Sequence, residues 1–207
     1  MSADQAPARP LPGERWMIEV TLEDLESTAE LAAKLADLLH AGDLLVLTGG
    51  LGAGKTTFTQ SLGAALEVSG MISSPTFILS RVHRSLGTGP DLVHVDAYRT
   101  GSAGLESLDL VSSMPDSITV VEWGRGIVEE ALTGEGGSWL DLELLREDLL
   151  PDLREDLRED SAGHPDDAAS EIEIITDFSE TEADVLGSRR RAVLRGYGPA
   201  WTAPPTL

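Results

Sequence analysis

Residues 49–56 read Gly49-Gly50-Leu51-Gly52-Ala53-Gly54-Lys55-Thr56, the G-x-x-x-x-G-K-[ST] spacing of a loop that cradles the phosphates of a nucleoside triphosphate. The chemistry needs those residue types. Glycines let backbone N–H groups curl inward around phosphate oxygens, where a Cβ would block the approach and the unusual φ/ψ values. Lys55 supplies a compact charge for the β- and γ-phosphates, and the Thr56 hydroxyl suits Mg²⁺. Composition sharpens the point. Of fifteen basic residues only Lys34 and Lys55 are lysine, so a chain that otherwise uses arginine places an ammonium in the loop. A planar guanidinium is not interchangeable with it in so tight a cradle.

A loop of this class also needs a carboxylate at the end of a neighbouring strand, to hold Mg²⁺ through its water shell. Asp96 closes the apolar run Leu92-Val93-His94-Val95 and fits that place. A further group must sense the γ-phosphate or place the attacking water, and Ser74, Thr76 and Glu122 are the candidates. Glu122 ends Ile118-Thr119-Val120-Val121 as Asp96 ends its own run, and open α/β sheets bind ligands at such strand ends.

The elements that must position these groups are legible around them. Leu44-Leu45-Val46-Leu47 is a continuous apolar run, as in a strand buried on both faces. After the loop, Phe58, Leu62, Ala65 and Leu66 fall at helical spacing, so a helix N-terminus points at the anion. Upstream, Trp16–Val20 reads as a first strand. Ser27 or Thr28 is expected to cap an amphipathic helix over Ala29–His40, with Leu31, Leu35, Leu38 and Leu39 on one face and Gly42 beyond its end. The extended segment Phe77–Val82, the turn-rich 85–90 and Leu92–Asp96 read as a β-hairpin. A short helix is expected over Ala103–Leu110, and later strands over Trp139–Leu144, Glu171–Ile175 and Ala192–Arg195.

Charge and composition bound the rest. The 207 residues can bury one full core, and 41% of them are hydrophobic. The reading is a flexible leader over 1–15, a single domain over 16–201 interrupted by an acidic low-complexity insertion at 146–167, and a tail over 202–207. Within 146–167 the triplet Arg-Glu-Asp occurs three times. There is no cysteine, and no early apolar run of signal-peptide type, so a cytoplasmic protein is expected. The net charge is −21, of which −14 falls between Asp141 and Asp184. Such a chain is a poor match to a phosphate backbone, so direct DNA binding is not expected and any link to nucleic acid runs through a partner.

Four blocks together, Gly-Gly-Leu-Gly-Ala-Gly-Lys-Thr-Thr-Phe (49–58), Ser-Pro-Thr-Phe (74–77), His-Val-Asp-Ala-Tyr-Arg (94–99) and Val-Glu-Trp (121–123), resemble the TsaE family. These are small bacterial ATPases needed to make threonylcarbamoyladenosine on tRNA. The resemblance spans about Thr28 to Trp123, with a weaker echo to Trp201. It implies an α/β, three-layer phosphate-loop NTPase fold with a mainly parallel central sheet and antiparallel C-terminal strands. It implies that Gly49, Gly50, Leu51, Gly52, Ala53, Gly54, Lys55, Thr56 and Thr57 hold the ATP phosphates. Thr56 and Glu122 would bind Mg²⁺ with Asp96 as the nearby carboxylate, Lys55, Asp96 and Glu122 would form the catalytic set, and Ser74-Pro75-Thr76 would be a switch segment. The implied partner is the TsaD–TsaB pair, with tRNA reached only indirectly and no membrane involved. A late basic residue is brought to the nucleotide in this family, and Arg189 is favoured over Arg190 and Arg191. The chain departs from the family in having Gly50 where Asp is frequent, and in lacking the glycine of a Glu-x-x-Gly after Tyr-Arg: Glu106-Ser107-Leu108-Asp109 stands there.

Other classes fare worse. A regulatory GTPase needs [Asn/Thr]-Lys-x-Asp to read guanine, and neither lysine stands in such a segment. A small-molecule kinase of this loop class closes an Arg-rich lid, whereas the long late insertion is acidic. A non-catalytic ATP-sensing subunit would share every residue named above, and partner-dependent turnover separates it from a slow ATPase.

Overall fold

The computed structural model describes residues 11–75, 80–98, 110–146 and 189–207. Among the described residues seven strands form one sheet: β1 (Glu14–Leu22), β2 (Leu44–Thr48), β3 (Ser80–His83), β4 (Asp91–Asp96), β5 (Ser117–Glu122), β6 (Trp139–Arg146) and β7 (Arg190–Tyr197), in the order β1-β7-β6-β2-β5-β4-β3. The centre is parallel, with β2 between β5 and β6 and β4 beyond β5. The flanks are antiparallel: β3 on β4, β7 on β6, and β1 on β7. This is the expected α/β architecture; β3 and β4 are antiparallel because a hairpin turn such as 84–90 can only return a strand that way.

Helices α1 (Leu25–Leu38) and α2 (Lys55–Ala65) cover one face; the short α3 (Leu110–Ser113) and α4 (Glu129–Thr133) lie against the other. The alternation of β2 shows why its run is apolar throughout. Leu45 and Leu47 join Leu31, Leu35, Phe58 and Leu62 beneath α1 and α2, while Leu44 and Val46 pack with Val93, Val95, Val121 and Val128 on the other face. Phe58 and Leu62 are fully buried at helical spacing, as expected. Ala65 is exposed instead, and the close approach is made at Gly63, whose missing side chain leaves room for Ile72 and Val68. The chain beyond the sheet returns to the core: Trp201 and Leu207 pack against the first cluster, and Trp16 Nε1 donates to the Trp201 carbonyl at 2.8 Å.

β1 begins at Glu14, two residues ahead of the expected Trp16, and pairs with β7 from there. A larger difference concerns α1. Its cap is Asp24 rather than Ser27 or Thr28, and the helix starts at Leu25, four residues before the expected Ala29, ending at Leu38. Asp24 Oδ1 accepts from the Ser27 amide at 2.8 Å while Ser27 Oγ accepts from the Asp24 amide at 3.0 Å, a capping box in which serine fills the N3 place. The pattern Asp-x-x-Ser departs from the usual Ser/Thr-x-x-Glu order, and so the serine reads as a cap in the sequence. The hairpin and the strands at β2, β4, β5, β6 and β7 fall where expected, within a few residues. The expected helix 103–110 lies outside the described residues except for Leu110, which opens α3. Residues 77–79 of the expected hairpin, the strand Glu171–Ile175 and insertion residues 147–167 also lie outside them. Among the described residues no helix is long and apolar enough to cross a membrane.

The backbone amide of Ser27, and then its hydroxyl, hold the Asp24 carboxyl below its ordinary value of 3.8. A carboxylate favoured in the folded state stabilises fully above the unfolded value and loses that effect as pH falls through the folded one. Asp24→Ala is therefore expected to lower the thermal midpoint at neutral pH. The gap to wild type should stay constant down to about pH 4 and then close, as thermal melts followed by circular dichroism would record.

Candidate functional site

The C-terminal ends of β2, β4 and β5 reach one edge of the sheet, and the described groups singled out around the loop gather there. Parallel pairing sets Asp96 directly beside Glu122. The glycine loop leaves β2 at Thr48 and enters α2 at Lys55 with Gly54 as its cap in the left-handed region, φ 100°. Gly49 (φ 133°) and Gly52 (φ 73°) take backbone conformations that side chains disfavour, and a Cβ on Gly49 would overlap the Leu144 carbonyl. Gly50 differs: nothing lies within 4 Å of where its Cβ would be, so the position has room for a side chain.

A cavity of about 540 Å³ opens over this loop, lined by Leu51 to Thr57, Ser74, Asp96, Tyr98, Glu122, Trp123 and Arg190. Lys55 Nζ donates to the Gly49 and Gly50 carbonyls, both at 2.9 Å, and lies 3.7 Å from the centre of the Trp123 ring. Burial pushes its ammonium below the ordinary lysine value, and the carboxylates of Glu122 and Asp96 pull it back. Thr56 Oγ1 donates to Glu122 Oε1 at 2.9 Å. Asp96 accepts from the Tyr98 amide at 2.9 Å and from Ser74 Oγ at 3.3 Å, so Ser74 does reach the site. Thr76 lies outside the described residues.

The oxygens of Thr56, Asp96 and Glu122 suit a hard cation that keeps several of its waters. Mg²⁺ uses one or two carboxylates plus substrate phosphates rather than a full protein cage. Among the described residues no cluster of three His, Cys, Asp or Glu could hold a metal alone. The donor set and the glycine cradle thus fit Mg²⁺ and a polyphosphate.

One expectation is corrected. Arg189 does not reach the cavity: it is half exposed and donates to Glu23 Oε1 at 2.8 Å. Arg190 is the residue at the loop, 4% exposed, with Nε donating to the Ala53 carbonyl at 3.0 Å. Strand alternation is the reason. Arg190 shares a face with Ala192 and Leu194, which pack under the loop-helix side of the sheet, whereas Arg191 turns to the other face and Glu19. Extending the pattern of Ala192–Arg195 backwards by two residues would have selected Arg190.

Three further residues at the site were given no role from the sequence. Trp123 stands at φ 62°, and its ring covers Lys55 and meets Tyr98 at 5.1 Å between ring centres. Its backbone is held by its own amide, which donates to the Leu47 carbonyl at 3.0 Å. Two residues on, Arg125 forks onto the buried Asp141 of β6 through Nε (2.8 Å) and Nη2. That clamp fixes the exit from β5 beside the cavity. His94, fully buried on β4, contacts Glu122 Oε1 through Nε2 at 2.8 Å.

Comparison with known proteins bears on the family and the fold. The family model described as "Threonylcarbamoyl adenosine biosynthesis protein TsaE" matches residues 22–149. Proteins described as "tRNA threonylcarbamoyladenosine biosynthesis protein TsaE" are similar in sequence. The one from Streptomyces coelicolor is 60% identical over 103 residues, covering 49% of this chain and 70% of that protein. The one from Mycobacterium bovis is 46% identical over 117 residues, covering 53% and 70%. A Synechocystis relative is 39% identical over 111 residues, covering 51% and 69%. Among solved structures, the crystal structure of Bacillus subtilus YdiB aligns over 88% of this chain and 87% of that one, with a TM-score of 0.52 and 21% identity, a likeness of fold.

The loop geometry makes opposite predictions for adjacent glycines. Gly49→Ala is expected to lower stability by more than about 1 kcal/mol, because strained φ and the Leu144 carbonyl both oppose it. Gly50→Ala should stay within about 0.5 kcal/mol of wild type. Urea unfolding of the two variants measures the contrast.

Proposed function

The chain belongs to the TsaE family, and from that premise we propose that it is a Mg²⁺-dependent ATPase that supports threonylcarbamoyladenosine modification of tRNA by acting on a TsaD–TsaB complex in the cytoplasm. The observation that carries this reading is the convergence of Lys55, Thr56, Asp96 and Glu122 on one glycine-lined cavity at the ends of β2, β4 and β5.

Each residue has a physical task there. The amides of 50–56 and the N-terminus of α2 bind phosphate oxygens, and Lys55 adds the charge nearest the β- and γ-phosphates. Its contacts with the Gly49 and Gly50 carbonyls and the Trp123 ring hold the ammonium over the loop rather than in solvent. Arg190, braced on Ala53, adds a second buried cation beside the cradle. Thr56, Asp96 and Glu122 would hold Mg²⁺ and its waters, and the ion would supply positive charge to offset that of the phosphates. Glu122 also orients the attacking water, and Ser74 answers the state of the phosphates through Asp96.

The reaction is hydrolysis of ATP to ADP and phosphate with no acceptor to phosphorylate. Turnover by the isolated chain is slow, on the order of 10⁻⁴ per second, as in phosphate-loop proteins that await a partner. The net charge of −21 opposes a phosphate backbone, so the link to tRNA runs through the partner complex.

Activity measured with and without the TsaD–TsaB pair, with threonylcarbamoyladenosine scored in the same tubes, tests the reading. Both signals are expected to rise together, with the γ-phosphate of ATP recovered as free phosphate; a phosphorylated acceptor, or modification unaffected by this chain, contradicts it. In that assay Glu122→Gln is expected to cut turnover by about 100-fold or more while nucleotide binding survives, and Lys55→Ala to lose both. For the basic residue, Arg190→Ala should weaken ATP binding by about tenfold, whereas Arg189→Ala leaves it unchanged, as equilibrium titration with a fluorescent ATP analogue would show.

A further inference from the structure

Along β4 and β5, the sheet face beneath α2 is apolar at Leu92, Ile118 and Val120, and His94 interrupts it. The imidazole is fully buried, paired in register with Val120 and two residues ahead of Asp96. Its Nδ1 is buried without a hydrogen bond. A nitrogen left so is a cost to folding, and an aliphatic side chain would fill the same space without it. Apolar packing alone therefore does not explain a histidine here.

Its other nitrogen does. Nε2 lies 2.8 Å from Glu122 Oε1, within reach to donate an N–H to that carboxyl oxygen. Thr56 Oγ1 donates to the same oxygen at 2.9 Å. Two donors on Oε1 fix the carboxyl plane and leave Oε2 for the cavity that Glu122 lines. They are not equivalent. Thr56 sits at the mouth of the loop, where its hydroxyl is needed by the ligand, whereas His94 lies behind Glu122 on the sheet and keeps its contact whatever enters the cavity.

We propose that His94 is a positioning residue for ATP hydrolysis: its Nε2–H anchors Glu122 Oε1 from behind, so that Glu122 holds its orientation when Thr56 turns to the ligand. This rests on the functional reading above and adds to it a residue that touches neither nucleotide nor water.

Two substitutions test it: His94→Leu, which removes the donor from an apolar setting, and His94→Gln, whose amide nitrogen restores a donor near the place of Nε2. Thermal midpoints, Mg-ATP calorimetry, single-turnover hydrolysis with the TsaD–TsaB pair, and crystal structures of the nucleotide-free proteins are compared with wild type. His94→Leu is expected to keep its midpoint and to bind Mg-ATP within about threefold, yet to hydrolyse about 10–100-fold more slowly. Its crystals should show Glu122 turned away from the wild-type position, and His94→Gln should recover hydrolysis to within about threefold of wild type. Wild-type hydrolysis by His94→Leu with Glu122 in place overturns the proposal. So does a loss shared by both variants that follows a fallen midpoint, since that is a packing role. A wild-type protein that hydrolyses no ATP beside its partners overturns the functional reading as well, whereas an active wild type matched by His94→Leu overturns the role of His94 alone.

Discussion

A single hydrogen bond, from Thr56 Oγ1 to Glu122 Oε1, joins the two parts on which the site depends: the first turn of α2 and the end of β5. Residues 66 apart in sequence meet there because β2 and β5 are parallel neighbours, which brings the loop after one strand beside the last residue of the other. The sheet order is therefore a functional constraint. Shifting β5 by one residue against β2 would turn Glu122 to the opposite face and leave the cradle without a carboxylate.

The site concentrates charge where water is scarce. Lys55, Asp96, Glu122 and Arg190 are each at least nine-tenths buried, and groups so placed are costly unless paired and hydrogen-bonded. Main-chain groups are prominent among their partners: two loop carbonyls for Lys55, the Ala53 carbonyl for Arg190, and the Tyr98 amide for Asp96. Fixed dipoles of this sort hold the charges in place without neutralising them, which leaves the site ready for a strongly charged ligand. The Trp123 ring above Lys55, set by a left-handed backbone and the Arg125–Asp141 fork, belongs to the same arrangement.

Much of this was legible in the sequence, and the reasons differ by residue. The loop and its flanking strand and helix are written in local terms, glycines at set positions and periodic apolar residues, and they appear where expected. Asp96 and Glu122 were visible because each ends an apolar run. His94 stood in the same run, and its parity with Leu92 and Asp96 marked it as inward; its contact depends on β4 lying beside β5, which no local pattern states. Arg190 was open to the same parity argument through Ala192 and Leu194. Trp123 was not open to any, because a left-handed φ at a bulky residue has no sequence signal. The cap of α1 was missed for a smaller reason: Asp24 and Ser27 exchange the usual roles of hydroxyl and carboxylate in a capping box.

The central claim is that loop amides and the Lys55 ammonium grip the phosphates of Mg-ATP. Isothermal titration calorimetry of the pure, folded chain with ATP, with magnesium present and then chelated, tests it most directly. The account predicts saturable one-to-one binding that weakens when magnesium is withdrawn. An absence of any heat of association in either condition, with the TsaD–TsaB pair present or absent, would contradict it.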